Sequence, residues 1–307
     1  MKCRKCCQKA IINMRQHRLA MCKEHFLDWV PEQVERFIHK YQMFSRQEQI
    51  LIAVSGGKDS LALWDILFRL GFESDGLYIG LGIDEGIHYS EKSGQLAEAF
   101  ANTRKLRLLT VNMRDEYGET IPQIADRTTR GQGKPCSVCG LSKRYIMNRI
   151  ARQGGYHVLA TGHNLDDEVA VLFGNTLNWE VSFMSRQSPV LEANHPGLVR
   201  KVKPLFRFSE REVAAYALLR GIDYIYEECP HAVGSKSIFY KEILNRMEEK
   251  RPGSKLIFYL SFLKAKENGL FANHAQEQVL SLNTCSSCGQ PTTASGECSF
   301  CRIMLKQ

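Results

Sequence analysis

No uninterrupted apolar run in these 307 residues is long enough to cross a bilayer, and Met1-Lys2-Cys3-Arg4 begins no secretory apolar stretch. A cytoplasmic protein with no membrane partner is expected. A Walker A loop is missing too: before the Gly-Lys pair, Ile52 stands where that loop has its first glycine, and Asp59 follows the lysine. Nor is there a dinucleotide fingerprint, because Gly80-Leu81-Gly82 meets Glu85 where the last glycine belongs. Low-complexity tracts and internal repeats are absent. These gaps leave a membrane-spanning helix, a P-loop NTPase and a Rossmann dehydrogenase without support. What remains is a chain long enough for one large core and small accessory modules.

The chain does hold a phosphate-binding pattern of another kind. The run Ile50-Leu51-Ile52-Ala53-Val54 stops at Ser55-Gly56-Gly57-Lys58-Asp59-Ser60, and Leu63, Leu67 and Leu70 then recur with helical spacing until Gly71. Strand, glycine turn and helix start together present free N–H groups and a positive dipole end to an anion. The order Ser-Gly-Gly-x-Asp-Ser resembles the PP-loop of the ATP pyrophosphatases, which implies adenylation with ATP as cosubstrate. Further on, Thr161-Gly162-His163-Asn164-Leu165-Asp166-Asp167-Glu168 opens a second helix behind a strand. Three consecutive carboxylates exceed what a helix dipole calls for and suit a Mg²⁺ on ATP phosphates, while Gly162 admits the nucleotide close to the backbone. The block also resembles the second ATP-site motif of PP-loop tRNA-modifying enzymes.

Eleven cysteines in a reducing compartment read as metal or redox chemistry rather than disulfides. Cys3-x2-Cys6 with Cys22-x2-His25 makes a Cys₃His zinc set, and Cys285-x2-Cys288 with Cys298-x2-Cys301 makes a Cys₄ zinc ribbon. Each is closed by four protein ligands, so both are structural. Cys7 is left over, as an alternative to Cys6 or a small buried filler. Cys136, Cys139 and Cys229 form a third group with only three thiols. Those three either run persulfide chemistry or hold an iron–sulfur cluster with one iron open, unless they are unrelated buried cysteines.

The remaining pattern alternates strand and helix. Strands are expected near 49–54, 76–81, 107–111 and 157–161, with helices over 91–104 and from the Cys136 pair to Arg152. This predicts an α/β fold with a parallel sheet, helices on both faces, and ligands at the carboxyl ends of the strands. Four units follow: a zinc finger at 1–30, a PP-loop catalytic domain at 31–236, a helical segment at 237–280 and a zinc ribbon at 281–307. Residues 32–44 read as a helix begun by Pro31, 114–135 as a mobile polar segment, and 222–226 as a last strand delivering Cys229. Two helices with a break at Pro252-Gly253 are expected over 237–268, carrying Lys241, Arg246, Lys250, Arg251 and Lys255. The net charge is +8, and Arg127, Arg130, Lys134, Lys143, Arg144, Arg149 and Arg152 face only Asp126 in their window, which suits a polyanion.

Taken in order, the Cys-rich start, Ser-Gly-Gly-Lys-Asp-Ser, Pro135-Cys136-Ser137-Val138-Cys139-Gly140, Thr161 to Glu168, Cys229-Pro230 and the four-Cys ribbon resemble the tRNA 2-thiolation enzymes. The similarity is greatest to the 2-thiouridine synthetases acting on uridine or 5-methyluridine in the T-loop. The resemblance implies an adenine nucleotide alpha hydrolase-like core and a sulfurtransferase that adenylates the C2 oxygen of a tRNA uracil. It also implies a 4Fe-4S cluster on Cys136, Cys139 and Cys229 whose open iron takes the sulfur. A ubiquitin-like thiocarboxylate carrier or free sulfide would be the donor, and a homodimer the working form. Ser55, Gly56, Gly57 and Ser60 would cradle the pyrophosphate while Asp59 orients Mg²⁺. Ala53, Val54 and Ile79 would contact adenosine, Lys143 would neutralise the α-phosphate, and Asp167 would accept a proton or bind Mg²⁺. The competing readings are a persulfide thiolase acting on wobble uridine or cytidine, an amide-forming ATP pyrophosphatase, and a non-enzymatic RNA platform.

Overall fold

The structure is a computed structural model, and it describes residues 1–84, 86–232, 234–272 and 282–305. Its centre is a six-stranded sheet of β3 (Ile50–Val54), β4 (Ser74–Gly80), β5 (Leu108–Asn112), β6 (Val158–Thr161), β7 (Val190–Leu191) and β8 (Arg200–Val202), in the order β5-β4-β3-β6-β8-β7. All neighbours run parallel except the edge pair β7 and β8. The register sets Val54 opposite Tyr78, Ala53 opposite Thr161, and Gly80 opposite Asn112. The carboxyl ends of the inner strands therefore meet at one edge.

Side-chain alternation divides the interior in two. Ile50, Ile52, Val54, Val158, Ala160 and Val202 face the larger core, and Leu51, Leu77, Val111 and Leu159 the smaller. The larger core is closed by α1 (Lys23–Lys40), α2 (Lys58–Arg69), α3 (Tyr89–Arg104), α7 (Leu165–Leu177) and α9 (Glu210–Leu219). On the other face lie α4 (Met113–Tyr117), α5 (Ile121–Arg127) and α6 (Pro135–Gln153). Covering on both faces is what lets near-continuous aliphatic strands exist in water. The chain continues through α8 (Val181–Arg186), α10 (Lys236–Lys250) and α11 (Ser254–Glu267). It ends in the β9 (Asn283–Thr284) and β10 (Pro291–Thr292) hairpin and α12 (Ser299–Leu305). Among the described residues no helix is long and apolar enough to cross a membrane.

Several expectations are corrected. The helix predicted over 32–44 starts at Lys23, and Pro31 lies inside it. Proline there removes the bond to the carbonyl four residues back. The released Leu27 oxygen instead accepts a 2.6 Å hydrogen bond from the Arg69 guanidinium of α2. The hairpin of β1 (Ile12–Met14) and β2 (Leu19–Met21) shares the large core through Met14, Met21 and Cys22, with Trp29 set edge-on to Phe208 at 5.8 Å. Residues 114–135, expected to be mobile, contain α4 and α5, which Asn112 and Thr120 cap through their side chains. Residues 222–226 form no strand; Ile225 N–H donates to the Gly56 carbonyl at 2.9 Å. The break at Pro252-Gly253 separates α10 from α11 as expected, and the 273–280 end of the predicted helical segment lies outside the described residues.

The helices on the large face converge on Asp65, which is fully buried. Its carboxylate accepts from Tyr216 Oη at 2.8 Å, Arg220 Nε at 2.8 Å and Arg104 Nε at 3.0 Å, tying α2 to α9 and α3. Against the cost of burial, these partners hold its pKa below the usual Asp value. Its contribution is complete above the ordinary carboxylate range and is lost as pH falls through the depressed folded-state value. Asp65→Ala leaves two guanidinium groups without their buried anion and should cost about 3–5 kcal/mol. Denaturant unfolding at neutral pH measures this, and the difference from the unaltered protein should shrink in acid.

Candidate active site

At the carboxyl edge β3 turns through Ser55-Gly56-Gly57 into α2. Gly56 has φ +73°, and a Cβ there would lie 2.2 Å from the Ser93 carbonyl of α3. Only glycine lets the loop pass so close. Ser55 N–H donates to Ser60 Oγ at 3.1 Å, which curls the loop over the start of α2. No side chain caps that helix, so its first-turn N–H groups can meet an anion. The β6–α7 turn closes the other wall: a Cβ on Gly162 would lie 2.8 Å from the backbone of Asp59 and Ser60.

Between them is a cleft of about 320 Å³. Nine of the residues predicted for the nucleotide line it: Ala53, Val54, Ser55, Asp59, Ser60, Ile79, Lys143, Gly162 and Asp167. Gly56 and Gly57 stand behind this lining, in the loop itself. Leu77, Leu81 and Met147 complete an apolar floor. His163, from the block that opens α7, also lines the cleft, as do Tyr89, Ser90 and Ser93, which had no sequence signal. A larger hollow of about 430 Å³ lies beside Gly82, Asn112 and Arg114 and touches none of the loop residues.

Asp59 and Asp167 line the cleft, and the groups behind them join the two in a closed circuit of charges. Lys58 Nζ pairs with Asp59 at 3.2 Å and Glu210 at 2.7 Å; Glu210 meets Lys241 Nζ at 3.2 Å, and Lys241 meets Asp167 at 2.7 Å. Asn164 completes it. Its Nδ2 donates to Asp59 at 3.0 Å, and its N–H donates to Asp167 at 3.1 Å within a reciprocal helix cap. Burial raises the Asp59 pKa despite Lys58 and Asn164. Against burial, Lys58 and Lys241 hold Glu210 below the usual carboxylate range, and Asp167 and Glu210 hold Lys241 above the usual ammonium value. Asn164 and Asp167 belong to the block that opens α7, whereas Lys241 and Glu210 meet the site only through the fold.

Three consecutive carboxylates do not all face the cleft. Asp166 is buried against Lys255 Nζ at 2.6 Å, and Glu168 against Lys203 Nζ and Tyr259 Oη, each at 2.7 Å. Only Asp167 turns inward, since α7 rotates its neighbours away. The basic clusters are likewise partly spent internally: Lys241 and Lys255 on these pairs, Arg127 on Glu119 and Arg149 on Glu116.

Cys136 and Cys139 occupy the first turns of α6, and Lys143 follows one turn later. Cys229 arrives on the turn before 230–232, whose His231 carbonyl accepts from Cys136 Sγ at 3.3 Å. Burial pushes the Cys139 thiol up, Lys143 works the other way, and Cys229 and Cys136 add repulsion. Burial and the nearby Cys229 raise the Tyr89 phenol to about 12. Tyr89 also lines the cleft.

The outer sets are more compact. Cys3, Cys6, Cys22 and His25 have ligand atoms all within 4.8 Å, as do Cys285, Cys288, Cys298 and Cys301. Both arrangements can hold one metal ion. Cys7, expected as a buried filler if not a ligand, is exposed at φ +62° and belongs to neither set. The C-terminal set packs on α6, where Phe300 stacks on Tyr145 with ring centroids 3.8 Å apart and Gln290 accepts from Asn148.

Comparison with known proteins gives two family matches: a PP-loop domain over residues 27–232, and the N-terminal LIM domain of the 2-thiouridine synthetase TtuA over 2–27. A tRNA-5-methyluridine(54) 2-sulfurtransferase of Thermus thermophilus is 50% identical over 99% of this chain and 91% of its own. One from Thermotoga maritima is 41% identical, covering 99% and 96%. Among solved structures, the U34-tRNA thiolase NcsA from Methanococcus maripaludis with its [4Fe-4S] cluster superposes with a TM-score of 0.76 at 26% identity, over 87% of this chain and 88% of that one.

Elemental analysis of the purified protein should find one tetrahedral ion in each outer set. Cys6→Ser should remove one of the two, whereas Cys7→Ser should retain both.

Proposed function

Because the chain belongs to the PP-loop tRNA 2-thiolation family, in its 2-thiouridine synthetase branch, we propose that the cleft binds Mg²⁺–ATP and adenylates the C2 oxygen of a tRNA uracil. The protein is a tRNA 2-sulfurtransferase. One observation carries the reading of the site: α6 lines the nucleotide cleft with Lys143 and Met147 and carries Cys139 one turn, and Cys136 two turns, before Lys143. Activation and sulfur delivery therefore share one wall.

Adenine lies on the apolar floor of Ala53, Val54 and Ile79. Ser55, Gly56, Gly57 and Ser60 hold the pyrophosphate, aided by the start of α2. Two carboxylates converging on Asn164 are a donor set for a hard divalent cation, so of the two roles expected for Asp167 the arrangement favours holding Mg²⁺ together with Asp59. Lys143 offsets the charge that builds on the α-phosphate as the C2 oxygen attacks and pyrophosphate leaves. Oxygen is a poor leaving group on C2; adenylation turns it into AMP, which sulfur then displaces.

Cys136 and Cys139 on α6, with Cys229 on the neighbouring turn whose His231 carbonyl accepts from Cys136, are three thiols that would hold a 4Fe-4S cluster. When bound, it supplies one iron open to the incoming sulfur. The M. maripaludis thiolase named with its [4Fe-4S] cluster supports this. The outer sets would each hold structural Zn²⁺. The T. thermophilus relative supports 5-methyluridine in the T-loop as the base. Sulfur comes from a ubiquitin-like thiocarboxylate carrier or from free sulfide, and the enzyme works as a cytoplasmic homodimer.

Anaerobic incubation of iron-loaded protein with tRNA, ATP, Mg²⁺ and sulfide should give 2-thio-5-methyluridine by nucleoside mass spectrometry. Lys143→Ala should slow the reaction by about 10²-fold or more with iron content unchanged. Cys229→Ala should lose iron and product together yet still bind ATP. Product from iron-free enzyme would mean that free sulfide displaces AMP without the cluster, and would overturn the cluster reading.

A further inference from the structure

Each carboxylate assigned to the ion is closed by its own lysine. Lys58 belongs to the phosphate loop and sits on Asp59. Lys241 reaches Asp167 from the second turn of α10, an element outside the nucleotide-binding motifs. Packing of its neighbour holds it in place. Tyr240, next to it, packs edge-on against Phe173 of α7 with centroids 5.5 Å apart, and a Cβ on Gly174 would meet the Tyr240 ring at 2.8 Å. Asp167 lies on the same α7, so α10 and the carboxylate are held in one packed unit. The second partner, Glu210, also holds Lys58, so one carboxylate tethers both ammonium groups beside the cleft.

A divalent cation that takes the Asp167 carboxylate competes directly with Lys241 for the same oxygens. The ammonium group has three donors, and Glu210 occupies one. A donor released by Asp167 needs a new anion, and the polyphosphate brought by the ion provides one within the same cleft. We propose that Lys241 is a phosphate-binding residue of the cosubstrate site, exchanging Asp167 for a non-bridging phosphate oxygen when Mg²⁺–ATP binds. This rests on the nucleotide reading of the cleft given above. Lys241 moves no proton; it is a binding residue, and its effect falls on nucleotide affinity.

The test is isothermal titration of the full-length, metal-loaded protein with ATP, with and without Mg²⁺. Unaltered protein, Lys241→Ala, Lys241→Gln and Lys241→Arg are compared, and melting temperature and cluster absorbance are recorded for each. With Mg²⁺, Lys241→Ala and Lys241→Gln should weaken ATP binding by about tenfold or more, the loss of one charge-assisted hydrogen bond. Lys241→Arg should recover most of it. Without Mg²⁺, where Asp167 keeps the lysine, the variants should differ little from the unaltered protein. In turnover the change should appear in KM for ATP rather than in kcat, with cluster absorbance unchanged. Lys241→Gln removes the charge and shortens the side chain by one atom but keeps a polar amide for the buried carboxylates, so it supplies the answer if the alanine variant does not fold. Unchanged affinity with Mg²⁺, alone or with a lowered melting temperature, would make the lysine purely structural and overturn the proposal. If the unaltered protein itself bound no Mg²⁺–ATP, the nucleotide reading would fall and this inference with it.

Discussion

A carboxylate can be buried only beside a cation or a full set of donors, and α7 opens with three in succession. Each takes a lysine from a different part of the chain: Asp166 from α11, Asp167 from α10 and Glu168 from the segment after β8. The β6–α7 turn, with Gly162 on the cleft wall and Asn164 buried behind it, is therefore set by residues far downstream. Removing any of these lysines leaves an uncompensated charge beneath the site. The active edge is thus completed by the C-terminal helices rather than merely flanked by them.

A second dependence runs through α6. This helix carries two of the central cysteines and Lys143 and is backed by Tyr145 on Phe300 and by Asn148 on Gln290. A knuckle-sized module without a core of its own can still act as a rigid brace once four ligands close it. The N-terminal set is joined differently. Its hairpin and Cys22 sit inside the large core, and the helix carrying His25 runs on without a break past Pro31.

Much of this was readable because short motifs carry their own geometry. Ser55 to Ser60 after an aliphatic run, and the paired Cys-x2-Cys spacings, define local shapes that need no distant partner, and both were found where the sequence put them. Failures came where the fold overrides local pattern. Pro31 reads as a helix start because proline suits a first turn, but Arg69 satisfies the carbonyl it strands and the helix extends back to Lys23. Asp166, Asp167 and Glu168 read as one metal site, although helical rotation points only the middle one at the cleft. Lys241 and Glu210 were invisible as site residues, since nothing local distinguishes them from a solvated surface.

The Leu27 carbonyl held by Arg69 and the Trp29 ring against Phe208 have a consequence for recombination among relatives. The first metal module is not a cassette that can be exchanged at a hinge, since its helix is stitched to α2 by a backbone acceptor that proline leaves free. A chimera cut near residue 30 would divide that helix and separate the aromatic pair from its shared interior. A workable crossover must carry the hairpin, all of α1 and the matching faces of α2 and the Phe208 turn as one inherited block.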